Sequence, residues 1–188
     1  MLSQLRPAIV LSVMLSAVTG LLYPLAITGA AQAAIPFQAN GSPIVRDGVL
    51  VGSALVGQNF SAARYFWPRP SATGTEPYNG AASSGSNIGP TGKALIERVA
   101  DAVMATGETT VPGDAVTTSG SGLDPHITPQ YAAMQVARVA TERGVPVEVI
   151  EAIVARVTEM PFLGIVGEPR VHVLELNMAL DEAVPAGN

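Results

Sequence analysis

The sequence contains no cysteine. That one absence removes disulfides, zinc–thiolate sites, iron–sulfur clusters and a cysteine nucleophile. Histidine is nearly as scarce: His126 and His172 are the only two, too few for a dedicated histidine metal site, so no metal is expected. Charge is thin, at 13% of 188 residues, where a soluble domain carries about a quarter. Ten lysines and arginines are spread along the chain against fifteen acidic residues, giving a formal net charge of -5. A binder of nucleic acid would show a basic stripe, and none is present. With 48% hydrophobic residues and a mean hydropathy of +0.35, most of the chain cannot be disordered. Catalytic signatures are missing too. There is no G-x-S-x-G elbow, D-K-T-G, S-x-x-K or H-E-x-x-H. The only Gly-Lys pair, Gly92-Lys93, has Asn87 where a phosphate loop needs its first glycine and Ala94 where it needs a hydroxyl. No catalytic residue is assigned.

What the chain does have is a long apolar run. Arg6 is the only charge before Arg46, and residues 7–31 contain no ionisable group except Tyr23. At ~1.5 Å per residue the run reaches roughly 37 Å, enough to cross a bilayer with some tilt. A cleaved signal peptide is the rival reading, with Ala31-Gln32-Ala33 as the small-x-small site, but its apolar region of roughly 7–15 residues is shorter than this run. A retained helix is therefore expected, with residues 1–35 as a transmembrane anchor. Ala8, Ser12, Ser16 and Gly20 fall four apart on one face, where small side chains let another helix approach closely. Pro24 follows on the same face and should weaken the last turns. Arg6 before the span, with no basic residue until Arg46, predicts a cytoplasmic N-terminus and an extracytoplasmic remainder.

Residues 36–48 read as a linker, with Asp47-Gly48 as a turn, and residues 49–188 as the outer domain. Residues 49–56 are β-prone, with Gly52 as a bulge or hairpin point. Residues 57–92 form a long loop that carries Phe60, Tyr65, Phe66, Trp67 and Tyr78; such aromatics predict an ordered loop pinned by its rings. Helices are expected over 93–105, capped by Thr91, and over 129–143, from the Thr128-Pro129 start to the Gly144 stop. A third is expected over 146–157, with Val149, Ile150, Ile153, Val154 and Val157 inward. Residues 170–174 read as a strand and 175–181 as a last short helix. The fold class is α+β, one N-terminal transmembrane helix followed by a mixed domain with long ordered loops.

Residues 118–122 (TSGSG) have the texture of an anion-binding turn, because backbone N–H groups in Gly/Ser turns can form a nest. A tight turn ahead of the Thr128 helix accounts for them equally, and no lysine or arginine stands beside them in sequence. Asp124 and His126 lie close by, but their spacing is no triad signature. His172, in an apolar run, reads as a core residue. Arg64 and Arg69 flank Phe66-Trp67-Pro68 and suggest either a carboxylate or carbohydrate site or simple packing.

Six segments make the chain resemble a known family: 52–60 (GSALVGQNF), 64–73 (RYFWPRPSAT), Tyr78-Asn79, 83–90 (SSGSNIGP), 118–129 (TSGSGLDPHITP) and 167–181 (GEPRVHVLELNMALD). In that order, behind one membrane span, they resemble the C subunit of the bacterial Kdp potassium-transporting P-type ATPase. Trp67 stands where the family usually has His, His172 where it has Asn, and Met160-Pro161 where a Gly-Arg pair is usual. The resemblance implies a complex in the cell inner membrane. Its other members are a potassium-selecting channel-like subunit, the catalytic P-type ATPase subunit and a small stabilising subunit. It implies a non-catalytic accessory role in potassium transport: assisting assembly and acting as a catalytic chaperone that raises the ATP affinity of the pump subunit. There would be no cofactor of its own, only ATP shared with that subunit. By likeness to the signature loop of ABC transporters, Ser119, Gly120, Ser121, Gly122 and Gln135 are the nucleotide-binding candidates. Two other classes compete: an exported hydrolase using the Ser/Gly loop, and an envelope protein binding a small ligand in the aromatic loop.

Overall fold

A computed structural model describes residues 2–185. The chain divides into two units, one ending at Val51 and the other beginning at Gly52.

In the first unit a short 3-10 turn (Leu2–Gln4) leads into α1 (Leu5–Ala17), a π-helical turn (Val18–Leu22) and α2 (Tyr23–Ala34), which together form one helix of 30 residues. Its length, about 45 Å, and its apolar composition suit a membrane span. The π turn has a local cause. Pro24 has no N–H for the Gly20 carbonyl, and the Tyr23 N–H reaches five residues back to Val18 O. Ala8, Ser12 and Ser16 keep their shared face on α1, whereas Gly20 lies inside the π turn. Residues 36–48, expected as a linker, contain a single helical turn, α3 (Pro36–Ala39), and β1 (Pro43–Arg46). The Asn40 and Gln32 carboxamides pair reciprocally at 3.1 and 3.2 Å. β1 pairs with β2 (Val49–Ser53) through Asp47 and Gly48, both at positive φ, the backbone that a two-residue hairpin turn demands.

The second unit has an α+β core. α4 (Lys93–Thr106) ends on Gly107 in the left-handed conformation. Its N-cap is Gly92 without a side-chain bond, so Thr91 does not cap it. After α5 (Gly113–Val116) and β3 (His126–Ile127), α6 (Pro129–Arg143) starts where its sequence signals place it. Thr128 Oγ1 accepts from the Tyr131 N–H at 3.1 Å and donates to Asp114 at 3.0 Å. Gly144, left-handed, closes the helix. α7 (Val147–Val157) packs on α6 and on α8 (Val173–Ala183). Ile150, Ile153 and Val154 of α7 are buried, but Val149 is exposed. β4 (Val171–His172) pairs antiparallel with β3, His126 facing His172 and Ile127 facing Val171. The expected strand over 170–174 is thus cut short. His172 Nδ1 accepts from the Glu175 N–H at 3.3 Å and caps α8, so the helix begins at Val173.

The core is built from Phe66, Val139, Ile150, Val171, Leu176 and Leu180, all fully buried. Phe66 comes from the long loop. Two carboxamides hold that loop where a strand partner would otherwise be needed. Asn177 of α8 accepts from the Phe66 N–H (2.8 Å) and donates to its carbonyl (3.0 Å). Gln135 of α6 does the same for Trp67, at 2.7 and 3.1 Å. Buried backbone groups must find partners, and here two side chains supply four of them.

Candidate functional site

The Ser-Gly turn is closed on itself. Ser119 Oγ accepts from the Gly122 N–H at 2.9 Å, and Ser121 Oγ accepts from the Leu123 N–H at 3.1 Å. Its carbonyls are taken as well. Ser121 O receives the Ser84 N–H (2.9 Å) and the Ser83 hydroxyl (3.1 Å), and Gly122 O receives the Ser71 hydroxyl at 2.7 Å. Gly122 is required twice over. Its φ is +68°, and a Cβ there would lie 2.6 Å from Ser84 O. Gly120, by contrast, faces open space and lacks a positive φ.

The sequence showed no cation beside this turn; the fold supplies one. Arg69, distant in sequence, donates to Asp124 at 3.1 Å and to the Thr118 carbonyl at 3.4 Å. Its charge is already matched by Asp124. The Asp124 carboxylate also accepts from the His126 N–H (3.0 Å) and lies 3.3 Å from its Nδ1. Burial opposes ionisation of Asp124, but the bonds from His126, aided by the Arg69 charge, hold its carboxyl below the ordinary range. Nearby, burial and then the Asp124 charge push the Tyr78 phenol up; its hydroxyl donates to Arg69 O at 2.7 Å. The His126 and His172 rings meet edge to face at 5.2 Å. The Asp124–His126 contact involves no serine hydroxyl, since Ser119 and Ser121 accept from backbone instead, so a Ser/His/Asp triad is not assembled.

Gln135, grouped with the turn by resemblance, sits elsewhere in the fold. It is 3% exposed, and its carboxamide is occupied by the Trp67 backbone and by Arg138 Nη2 at 2.7 Å. Arg138 lies 3.7 Å over the Trp67 ring and donates to the Ala63 and Tyr65 carbonyls. Arg143 donates to Arg64 O (3.0 Å), Val184 O (2.7 Å) and Asp181 (2.8 Å), and Asp181 accepts from the Tyr65 hydroxyl at 3.0 Å. The aromatic loop is therefore fastened to α6 and α8 by its own backbone. Arg64 offers its carbonyl to that fastening, and Arg69 is engaged with Asp124. This supports packing over a carboxylate or carbohydrate site between the two arginines.

A cleft of about 730 Å3 opens beside this cluster. Arg69, Asp124 and His126 line one side, and Met160, Phe162 and Val166 the other. Those three apolar residues belong to a hairpin that the sequence reading left unassigned. An uncharged run between Glu159 and Glu168 with Gly164 at its centre was its available signal. Among the described residues no group of three or more histidines and carboxylates comes together to hold a metal ion.

The chain thus combines one apolar span with a domain whose candidate turn is internally bonded and holds no assembled catalytic group. The family profile described as KdpC, "K+-transporting ATPase, c chain", matches residues 5–182. The chain belongs to the KdpC family. Its relatives agree over nearly full length. The potassium-transporting ATPase KdpC subunit of Polaromonas naphthalenivorans (strain CJ2) is 55% identical over 187 residues, covering 96% of this chain and 95% of the relative. That of Variovorax paradoxus (strain S110) is 52% identical over 188 residues, 97% of both chains. That of Sorangium cellulosum (strain So ce56) is 54% identical over 189 residues, 97% of this chain and 100% of the relative. KdpC membership also gives two of the three departures a structural reading. His172 performs the N-cap role to which an asparagine is equally suited, and Trp67 is held both by its backbone bonds to Gln135 and by its ring, whose indole N–H donates to Ala62 O at 3.1 Å beneath the Arg138 guanidinium.

Proposed function

We propose that this chain is a non-catalytic, membrane-anchored accessory subunit of a high-affinity, ATP-driven potassium uptake pump. On this reading it joins the channel-like potassium-selecting subunit, the P-type ATPase subunit and the small stabilising subunit in the inner membrane. Arg6 keeps the N-terminus cytoplasmic, and the domain from residue 49 onward lies outside. There it assists assembly and serves as a catalytic chaperone. It raises the ATP affinity of the catalytic subunit through the conformation it stabilises, not by touching nucleotide.

The internal bonding of the Ser-Gly turn carries this choice. A phosphate nest needs N–H groups aimed outward, yet the Gly122 and Leu123 N–H groups are bonded to the turn's own serines. Gln135 is likewise committed to Trp67. Pumps reconstituted with Ser119→Ala or Ser121→Ala should keep normal subunit stoichiometry and an ATP half-saturation within about twofold of the parent. Loss of a direct phosphate contact worth ~1.4 kcal/mol would raise it about tenfold, and that result would establish ATP contact instead.

A further inference from the structure

Residues 159–170 form a projecting hairpin. Glu159 and Arg170 close its base with two backbone bonds, at 2.8 and 3.1 Å, and a side-chain ion pair at 2.8 Å. Phe162 and Val166 pair farther out, at 3.0 and 3.1 Å. Leu163 and Gly164, both at positive φ, turn the chain at the tip. Beyond the charged base, every large side chain is apolar and in water: Met160 73% exposed, Phe162 72%, Leu163 78%, Ile165 84% and Val166 65%. No charged residue lies between Glu159 and Glu168. Side chains alternate between the two faces of a hairpin, so this finger is apolar on both.

A soluble domain does not expose such a cluster without use. A shallow protein groove would cover one face of the finger and leave the other wet. A lipid surface surrounds an inserted finger on all sides, and the chain supplies the tether. Residues 35–51 reach at most about 60 Å when extended, so the second unit never moves far from the bilayer that holds α1 and α2. Under such a tether a weak insertion becomes effectively intramolecular. The Glu159–Arg170 pair marks where the apolar part ends.

We propose that the hairpin at 159–170 is a membrane-seating finger whose Met160, Phe162, Leu163, Ile165 and Val166 lodge in the lipid surface of the bilayer. The inference rests on the membrane-anchored reading above and is independent of which side of the membrane the domain occupies.

The absence of cysteine makes the test direct. The full chain carrying Phe162→Cys or, separately, Ile165→Cys is labelled with the fluorophore NBD and reconstituted in phosphatidylcholine vesicles containing lipids with nitroxide on the acyl chain. Leu15→Cys, within the span, and Glu108→Cys, on an exposed turn, serve as references. Both finger positions should be blue-shifted and quenched at least half as strongly as position 15, while position 108 stays unquenched. Quenching at 15 but not at 162 or 165 overturns the finger while leaving the anchor intact. If burial at 162 and 165 appears only when the other pump subunits are added, without quenching by lipid, the finger belongs to a protein interface and the proposal fails. No quenching at 15 overturns the anchored reading on which the proposal rests, and the proposal falls with it.

Discussion

Two carboxamides carry more of this domain than their size suggests. Asn177 and Gln135 each satisfy a buried peptide of the aromatic loop, and an unsatisfied buried backbone group costs ~1–3 kcal/mol. Asn177→Ala should lower stability by about that much, read as a lower urea midpoint with unchanged slope, and Gln135→Ala similarly. Glycine positions separate just as sharply. Gly122→Ala meets backbone at 2.6 Å with φ +68° and should cost roughly 1–3 kcal/mol, while Gly120→Ala should be near neutral in the same titration. Burial lowers the His172 pKa despite the opposing charge of Glu175, and the His126 ring beside it acts in the same direction. The neutral ring both caps α8 and faces Ala54 O at 3.3 Å. The unfolded chain therefore binds the proton more readily. The contribution of His172 is fully present above the unfolded value of about 6.5 and is lost as pH falls through the lowered folded value. His172→Asn should retain the cap and flatten the fall in thermal stability below about pH 6.5; an unchanged pH slope would remove His172 as its source.

At the scale of elements, local chemistry decides how much the sequence reveals. Thr128-Pro129 and Gly144 bound α6 because a hydroxyl cap, a fixed φ and a left-handed glycine act within a few residues. Thr128→Ala should cost ~1 kcal/mol or more, since Thr128 also holds Asp114, with loss of α6 helicity by amide exchange near its first turn as the readout. Helix 93–106 and helix 147–157 were legible for the same reason, through periodicity and flanking Gly or Pro. The start of α8 was not, because an imidazole cap lies outside the usual Ser/Thr/Asp/Asn signals. Pro24 signalled a weakened helix, but not that the chain would answer the missing N–H with a π turn at 18–22 rather than a break. The candidate site was least legible. The segment 118–124 stood out in sequence, but its neighbours Arg69, Ser71 and Ser84 come from a loop far away in the chain, and only the fold brings them in. The finger at 159–170 escaped because a short apolar run without alternation gives no period to read.

The whole molecule joins an apolar helix long enough to cross a membrane to a unit that holds its loops in place with side-chain bonds, and its family is that of a potassium-transporting ATPase subunit. On the reading proposed above, this unit works on the side of the membrane away from ATP and modulates the pump without touching nucleotide. One chain position tests it directly. Gly120 sits at the tip of the Ser-Gly turn, faces open space and has no positive φ, so Gly120→Cys introduces the only thiol of a cysteine-free chain without disturbing the fold. Intact cells expressing this variant with its partner subunits are treated with a membrane-impermeant maleimide, and permeabilised cells serve as the comparison. The account predicts full labelling in intact cells, with potassium uptake retained by the variant. Labelling that appears only after the inner membrane is opened would put the turn in the cytoplasm, within reach of ATP, and would contradict it.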